Sequence, residues 1–409
     1  MQCKARYGSN TGIYTASTKR DSSLSQRVRL RFPVLAAQML LVLVALQFPV
    51  TGHCDSGSGW FKNLFESKGK NMKDVATKVG ELPEQYDITV PALDFSPDGK
   101  YLAVRSADET INIWDWQNGR IVHTLEKAQG ANDSLTTEPL RFSPDGRLFV
   151  ACHDRATGDV VARIWRTDTW EIVHDIIDRV GGGCNAIGFT PDGKSLIRVL
   201  DRMPNISGDT LVVYDTSTWQ FVWGMRTVPF YTYTLAISPD GKFIALGGEV
   251  SNPREWPFST PVPTFGNPPL SNTRLIAIVD LAKRTIVRTI QNTGAMNRMS
   301  RLAWSPDGAY ITNAGGEGLQ IFDVSSGTQV VDEHLNSAHP SLRYTPDGKY
   351  LIEGDRNGMG TGLGVRIWDG QHRKLLQEVS GNVGSIAVSR DGRHLATGVE
   401  GKTIIWRLK

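Results

Sequence analysis

Short hydrophobic segments alternate with polar turns along most of the chain. The first copy of this pattern contains four such segments: Ala92–Phe95, Tyr101–Val104, Ile111–Asp115 and Arg120–Leu125. Apolar and polar residues alternate within Ile111–Asp115, which is the pattern of a strand with one buried face. The turns between the segments contain Gly, Asn, Asp and Pro, the residues that favour tight turns. The pattern therefore predicts β-strands joined by short turns.

The turn between the first two strands recurs seven times, six times as Pro-Asp-Gly and once as Arg-Asp-Gly. The copies are Pro97-Asp98-Gly99, Pro144-Asp145-Gly146, Pro191-Asp192-Gly193, Pro239-Asp240-Gly241, Pro306-Asp307-Gly308, Pro346-Asp347-Gly348 and Arg390-Asp391-Gly392. Proline presets φ at the first corner, aspartate can bond to the nearby backbone, and glycine accepts the left-handed conformation. Successive aspartates are 47, 47, 48, 67, 40 and 44 residues apart. A strand-turn-strand repeat of this length predicts an all-β fold, a seven-bladed β-propeller of four-stranded antiparallel blades.

The last repeat has residues for three strands, because only Arg407–Lys409 follow Trp406. A blade without its fourth strand would expose a bare sheet edge. We therefore expect a segment within roughly Ala76–Val90 to supply that strand, so that pairing of the N- and C-terminal strands closes the ring. The expected molecule is a monomeric propeller.

An aromatic residue recurs on the third strand of the repeats. The positions are Trp114, Trp165, Tyr214, Phe322, Trp368 and Trp406, with Val279 in the fourth copy. An acid follows it at Asp115, Asp215, Asp280, Asp323 and Asp369. A large flat ring at this regular spacing predicts packing of each blade against its neighbour.

The repeats resemble those of the WD-repeat family and of its bacterial relatives with Pro-Asp-Gly turns, such as the periplasmic propeller of the Tol system. Ile113-Trp114-Asp115 and Ile367-Trp368-Asp369 match the Trp-Asp signature, and the resemblance covers residues 76–409. The Gly-His pair that precedes each inner strand in that family is absent from all seven repeats. The resemblance implies a WD40-like platform whose function resides in its loops.

The N-terminal segment has the features of a targeting sequence. Arg27, Arg29 and Arg31 precede an uncharged run, residues 32–52, whose centre at Met39–Leu46 is strongly apolar. Residues 1–52 are predicted to be a signal peptide or an N-terminal membrane anchor. Residues 53–75 are predicted to be a tether, either a plain solvated segment or an amphipathic one that lies on a membrane surface. The propeller at 76–409 would then be exported: periplasmic, extracellular, or membrane-anchored and facing outside the cytoplasm.

The charge distribution argues against a nucleic-acid partner. The chain has 45 basic and 42 acidic residues, but residues 1–31 hold seven of the basic residues and one of the acidic residues. The remainder therefore has 38 basic and 41 acidic residues, a net charge of −3. The basic character comes from the leader and gives no nucleic-acid footprint.

Two of the four cysteines lie in neighbouring repeats, at Cys152 and Cys184. An oxidising compartment would allow them to form a disulfide. The alternative is two independent buried thiols, because cysteine often behaves as a small hydrophobic residue.

Three loops between second and third strands begin with an Asp-Arg pair. The pairs are Asp154 and Arg155, Asp201 and Arg202, and Asp355 and Arg356. Converging arginines could bind a carboxylate or a phosphate in bidentate fashion. The alternative is local: each aspartate caps its own loop and each arginine pairs nearby.

The longest gap between repeats contains an insertion at residues 249–273. It carries six prolines interleaved with Trp256, Phe258 and Phe265. Aromatic side chains on a proline-stiffened loop suit a protein or peptide contact. They could instead fold onto the propeller itself.

The sequence contains no Cys-x-x-Cys-His, His-Glu-x-x-His, Gly-x-Ser-x-Gly or Walker motif. We therefore predict a non-enzymatic platform for a protein or peptide, with no cofactor and no metal. The alternative is a hydrolase, similar to propeller lactonases, or a protein that binds a small ligand or metal on the loop face through the Asp-Arg pairs. A structural envelope protein is a third reading.

Overall fold

The computed structural model describes the strands of the propeller and many of their turns. The described residues are 74–85, 90, 92–106, 110–125, 140–152, 160–177, 184–200, 210–227, 230–250, 273–291, 299–315, 318–334, 341–355, 364–371 and 374–409. They lie in the compact unit Gly69–Lys409. Within these ranges, no helix has the length and apolar character needed to span a membrane. The predicted leader, 1–52, and nearly all of the predicted tether, 53–75, lie outside them.

The described residues form 28 strands in seven four-stranded antiparallel sheets, which confirms the predicted fold class. The N-terminal strand, β1 (Ala76–Gln85), belongs to the last blade. Blade 1 contains β2 (Ala92–Phe95), β3 (Tyr101–Arg105), β4 (Ile111–Asp115) and β5 (Arg120–Leu125). Blade 2 contains β6 (Leu140–Phe142), β7 (Leu148–Cys152), β8 (Val160–Arg166) and β9 (Ile172–Ile177). Blade 3 contains β10 (Cys184–Phe189), β11 (Ser195–Leu200), β12 (Leu211–Asp215) and β13 (Phe221–Met225).

The remaining four blades follow the same order from the inner to the outer strand. Blade 4 contains β14 (Phe230–Ile237), β15 (Phe243–Val250), β16 (Thr273–Asp280) and β17 (Thr285–Gln291). Blade 5 contains β18 (Met299–Trp304), β19 (Tyr310–Gly315), β20 (Gly318–Asp323) and β21 (Gln329–His334). Blade 6 contains β22 (Ser341–Tyr344), β23 (Tyr350–Asp355), β24 (Gly364–Asp369) and β25 (Leu375–Val379). Blade 7 contains β26 (Val383–Val388), β27 (His394–Val399) and β28 (Lys402–Leu408), and β1 completes it.

The ring closes through its two terminal strands, as predicted. Strand β1 pairs antiparallel with β28, from Ala76 opposite Leu408 to Gln85 opposite Lys402. The side chain of Gln377 in blade 6 holds the start of β1, since its Oε1 accepts the N–H groups of Val75 and Ala76 at 2.8 and 2.7 Å. The closing strand is therefore bonded both to its own blade and to the preceding one.

Each Pro-Asp-Gly-type turn is built around a hydroxyl side chain that directly precedes it. These residues are Ser96, Ser143, Thr190, Ser238, Ser305, Thr345 and Ser389. In the first turn, Ser96 Oγ donates to Asp98 at 2.5 Å and accepts the N–H of Tyr101 at 2.8 Å. Asp98 also accepts the N–H of Lys100 at 3.0 Å, and Gly99 has φ 72°. Left-handed backbone of this kind favours glycine, which explains why each of the seven turns has glycine at its third position.

The recurring third-strand residues pack neighbouring blades together, as predicted. Trp165 of blade 2, for example, lies in a cluster with Ile111, Ile113 and Leu125 of blade 1. Seven such clusters of buried side chains are described, and each contains residues of two adjacent blades. The core is therefore distributed around the ring.

The acids that follow these aromatics form hydrogen bonds within their own blades. Asp323 Oδ1 accepts Ser325 Oγ at 2.6 Å and the N–H of Ser326 at 2.7 Å. These hydrogen bonds, led by that of Ser325, lower the pKa of Asp323 to about 2. Asp115 likewise accepts both the side chain of Asn118 and that of Arg120. The acids therefore hold the turn between the third and fourth strands.

Candidate functional site

The loops that join second to third strands lie on one face of the propeller, which we call the loop face. The Pro-Asp-Gly-type turns lie on the opposite face, the turn face, because successive strands of each blade are antiparallel. The loop-face segments between second and third strands comprise residues 106–110, 153–159, 201–210, 251–272, 316–317, 356–363 and 400–401. All of the sequence-predicted binding residues except Asp355 fall within these segments of the sequence.

Most of those residues lie outside the described part of the chain. They are Asp154, Arg155, Asp201, Arg202, Trp256, Phe258, Phe265 and Arg356. Asp355 is described, and it is the last residue of β23, fully buried. Its carboxylate lies 3.5 Å from Nη2 of Arg366 on the next strand. Asp355 therefore belongs to a local ion pair beneath the loop face and is not presented on the surface.

Glu353 is the second carboxylate of this buried cluster. Its Oε1 lies 3.4 Å from Arg366 Nη2, and the arginine itself is 1 % exposed. Burial raises the pKa of Glu353 to about 6, and the charge of Arg366 only partly offsets that effect. One guanidinium thus supports two buried carboxylates at the base of the 356–363 loop.

Replacement of Glu353 by glutamine should change how stability depends on pH. The pKa of Glu353 is about 6 in the folded protein and 4.5 in the reference state, so folding favours the protonated acid. That contribution is present below pH 4.5 and is lost as the pH rises through 6. The difference in unfolding free energy between wild type and Glu353→Gln should therefore fall by about 2 kcal/mol between pH 4.5 and 7.5. Urea unfolding at several pH values measures it, and a difference independent of pH would contradict the assignment.

Three blades are joined beneath the 153–159 loop. Cys152, at the end of β7 in blade 2, forms a disulfide with Cys184 at the start of β10 in blade 3. The guanidinium of Arg105, from β3 in blade 1, donates to the carbonyl oxygen of Cys152. Arg105 and Cys152 are buried at 2 % and 0 % exposure. The strand that leads into this loop is therefore bonded to both neighbouring blades.

Reduction of the disulfide should lower stability. The bond closes a segment with a sequence separation of 32 residues, which corresponds to about 3–4 kcal/mol in the chain-entropy model. Thermal unfolding of the wild type should shift to lower temperature with reductant, whereas a Cys152→Ala/Cys184→Ala variant should not respond. Alkylation of the denatured, unreduced protein at either cysteine would contradict the cross-link.

The 251–272 insertion emerges from a regular strand pair. Strands β15 and β16 pair without interruption from Phe243 opposite Asp280 to Val250 opposite Thr273. Glu249 lies beside the insertion, where its carboxylate accepts Tyr233 Oη at 2.8 Å and lies 4.0 Å from Arg274 Nε. The two ends of the insertion are therefore held next to each other.

The buried charges beneath the loop face were missed by reasoning from sequence. They include Arg105, Arg198, Glu353 and Arg366, all at most 2 % exposed. The available signal was a charged residue inside an otherwise apolar strand, as at Arg198 in Ser195–Leu200. In the described ranges, no group of three or more His, Cys, Asp or Glu residues could hold a metal ion.

Comparisons with known proteins agree with this architecture. Residues 71–137, which span β1 and blade 1, match the model of the anaphase-promoting complex subunit 4 WD40 domain. The chain is 28 % identical over 200 residues to SEC12-like protein 1 of Arabidopsis thaliana, an alignment covering 48 % of this chain and 46 % of the relative. It is 26 % identical over 228 residues to human transducin beta-like protein 2, covering 50 % and 48 %.

A third relative carries the repeat in its name. The uncharacterized WD repeat-containing protein sll1491 of Synechocystis is 28 % identical over 144 residues, covering 26 % of this chain and 40 % of the relative. The chain thus spans less than half the length of each of these three relatives. The seven repeats and the closed ring of four-stranded blades identify the chain as a seven-bladed β-propeller, and these matches show that it is similar to WD-repeat proteins.

Proposed function

We propose that this propeller is an exported, non-enzymatic platform that binds a protein or peptide partner on its loop face. Proteins of the WD40 type generally serve as protein-interaction scaffolds. The observation that carries the proposal is the proline- and aromatic-rich insertion at 251–272, which the sequence places between the continuously paired strands β15 and β16. Binding loops held by a rigid framework are a common arrangement in proteins.

The energetics of such a contact favour the aromatic residues of the insertion. Trp256, Phe258 and Phe265 each offer a large apolar area with few rotatable bonds. Interfaces concentrate their binding energy in a few such anchors, and prolines reduce the entropy lost when a loop is ordered.

Export is supported by two independent features. The basic residues and apolar run of the leader have the character of a secretory signal or anchor. The disulfide between Cys152 and Cys184 is of a kind that persists mainly in oxidising compartments. The basic flank would stay inside, so a retained anchor would hold the propeller outside the cytoplasm.

A crosslinking pull-down from the native host tests both parts of the proposal. The bait variants are wild type, a triple Trp256→Ala/Phe258→Ala/Phe265→Ala variant, and Phe221→Ala as the matched control. Phe221 is 58 % exposed on the outer strand β13, away from the loop face. We expect one partner to be captured by wild type and Phe221→Ala and lost from the triple variant.

Intact-mass measurement of the recovered bait establishes the fate of the leader. A mass that lacks residues 1–52 indicates a cleaved signal, and the full mass in a membrane fraction indicates an anchor. Equal capture by the triple variant would overturn the assignment of the binding face. Recovery of the bait from the cytoplasm with free cysteines would overturn export.

A further inference from the structure

The inner strands of the seven blades surround a central channel, and a cavity of about 80 Å³ lies within it. This volume is several times the ~10–15 Å³ that one water molecule needs. Its lining residues come from all seven inner strands and include the polar side chains Asn185, Thr234, Ser341 and Ser385. The channel is therefore both polar and large enough to hold a small hydrophilic ligand.

Three arginines line this cavity: Arg141 on β6, Arg301 on β18 and Arg343 on β22. Arg141 and Arg343 each stand three residues before the first residue of their Pro-Asp-Gly turn, so they occupy the same level of the ring. They come from blades 2 and 6, on opposite sides of the channel. Arg301 stands two residues further from its own turn and so lies deeper.

One carboxylate stands at the same level as the upper arginines. Asp94, on β2, accepts the N–H of Phe142 at 2.9 Å, and burial raises its pKa despite the opposing charge of Arg141. Within the described inner strands, the three arginines are thus accompanied by this one acid, which burial disfavours as an anion. This leaves an excess of positive charge at the centre of the ring.

Much of the donor capacity of the upper arginines is unused within the described residues. Nη1 of Arg141 donates to the carbonyl of Leu140 at 2.7 Å, and Nη1 of Arg343 donates to that of Leu342 at 2.8 Å. Each guanidinium carries five N–H donors in a planar fork that matches two oxygens of an oxyanion. The guanidinium groups of Arg141 and Arg343 can thus bind one ligand from opposite sides.

The positive charges of the three arginines repel one another. Burial lowers the pKa of Arg343 to about 9, with further lowering by Arg141 and Arg301 that Asp94 partly offsets. Burial, followed by the charge of Arg141, lowers the pKa of Arg301 to about 10. A bound anion would relieve this repulsion.

The cavity is connected to the turn face. Arg141 and Arg343 also line a wider opening whose rim includes Pro144, Pro306 and Pro346 of the turns. A ligand that enters from this side meets the two upper arginines first. This route is separate from the loop face, so occupation of the channel does not depend on the protein-binding proposal.

We propose that the central channel binds a small polyvalent oxyanion of the phosphate class, held between Arg141 and Arg343 with Arg301 beneath it. Bidentate charge-assisted hydrogen bonds from opposed guanidinium groups suit tetrahedral oxygens better than a monatomic anion. The polar hydroxyl and amide groups of the lining can accept or donate the remaining hydrogen bonds. The site is a ligand site within the ring and requires no chemical step.

Isothermal titration of the full chain with inorganic phosphate, in low-salt buffer without added chloride, tests the site. The variants are Arg141→Gln and Arg343→Gln, with Arg147→Gln as the matched control. Arg147 is on the same blade as Arg141, but its side chain is 86 % exposed on the turn face, outside the channel. We expect wild type and Arg147→Gln to bind equally, and each channel variant to bind about tenfold more weakly or worse.

Thermal unfolding in phosphate-free buffer distinguishes loss of the phosphate site from loss of the fold. Because the channel arginines repel one another, Arg343→Gln should unfold at the same or a higher temperature than wild type, while losing the stabilisation that phosphate gives. Absence of phosphate binding by wild type, or equal binding by all four proteins, would overturn the proposal. Displacement of phosphate by equimolar chloride would also overturn it, because it would show nonspecific screening.

Discussion

Removal of residues 1–85 is expected to destroy cooperative unfolding of the propeller, whereas removal of residues 1–73 should leave it intact. The longer truncation deletes β1, which provides the fourth strand of blade 7. It also removes Val75 and Leu82, which are 6 % and 4 % exposed and together contribute about 3–6 kcal/mol by burial. That is a large share of the 5–15 kcal/mol typical of a folded domain.

The open ring would also expose β28 as an unpaired edge. Such an edge promotes pairing between chains, so we expect the 86–409 protein to form oligomers or aggregates. Circular dichroism during thermal unfolding and size-exclusion chromatography compare it with the 74–409 protein. A monomeric 86–409 protein with a sharp transition near that of 74–409 would show that closure contributes little.

Replacement of Arg366 by methionine should cost about 3–5 kcal/mol of unfolding free energy. Methionine fills a similar volume, but it leaves Glu353 and Asp355 buried without their cation. Both carboxylates are fully buried, and both lie within 3.5 Å of Arg366 Nη2. Denaturant unfolding at pH 7 measures the loss.

Two comparisons separate buried charge from lost packing. Arg166→Met removes an arginine whose ion pair with Asp168 is exposed, so its stability should remain close to wild type. A triple variant, Arg366→Met with Glu353→Gln and Asp355→Asn, should recover much of the lost stability because it removes the buried charges as well. If the triple variant is as unstable as Arg366→Met alone, the loss comes from packing.

The fold was predictable because the turns that separate its strands have a local physical cause. Proline, aspartate and glycine define the turn by themselves, and the four strands predicted for blade 1 match the structure apart from the extension of β3 to Arg105. The closing strand also lies within the predicted Ala76–Val90. The absent fourth strand in the last repeat was a sufficient signal for it.

The alternation of residues along a strand indicates which side chains share a face of the sheet, but not what packs against that face. The buried charges therefore could not be predicted from the sequence. Arg141 stands between Leu140 and Phe142, which in an isolated sheet would indicate a solvent-facing position. Only the closed ring brings it opposite Arg343. Likewise, Glu353 and Arg366 lie on neighbouring strands in register, and this pairing is visible only once β23 and β24 are aligned. The candidate loop residues, by contrast, remain predictions apart from Asp355.

Site-specific photocrosslinking in the native host tests the proposed binding face most directly. The photoreactive residue replaces Trp256 in the loop-face insertion, and in a parallel protein it replaces Lys242, whose side chain is 74 % exposed on the turn face. The account predicts a discrete crosslinked partner from position 256 and none from position 242. A partner crosslinked only from position 242, or no crosslink from position 256, would contradict it.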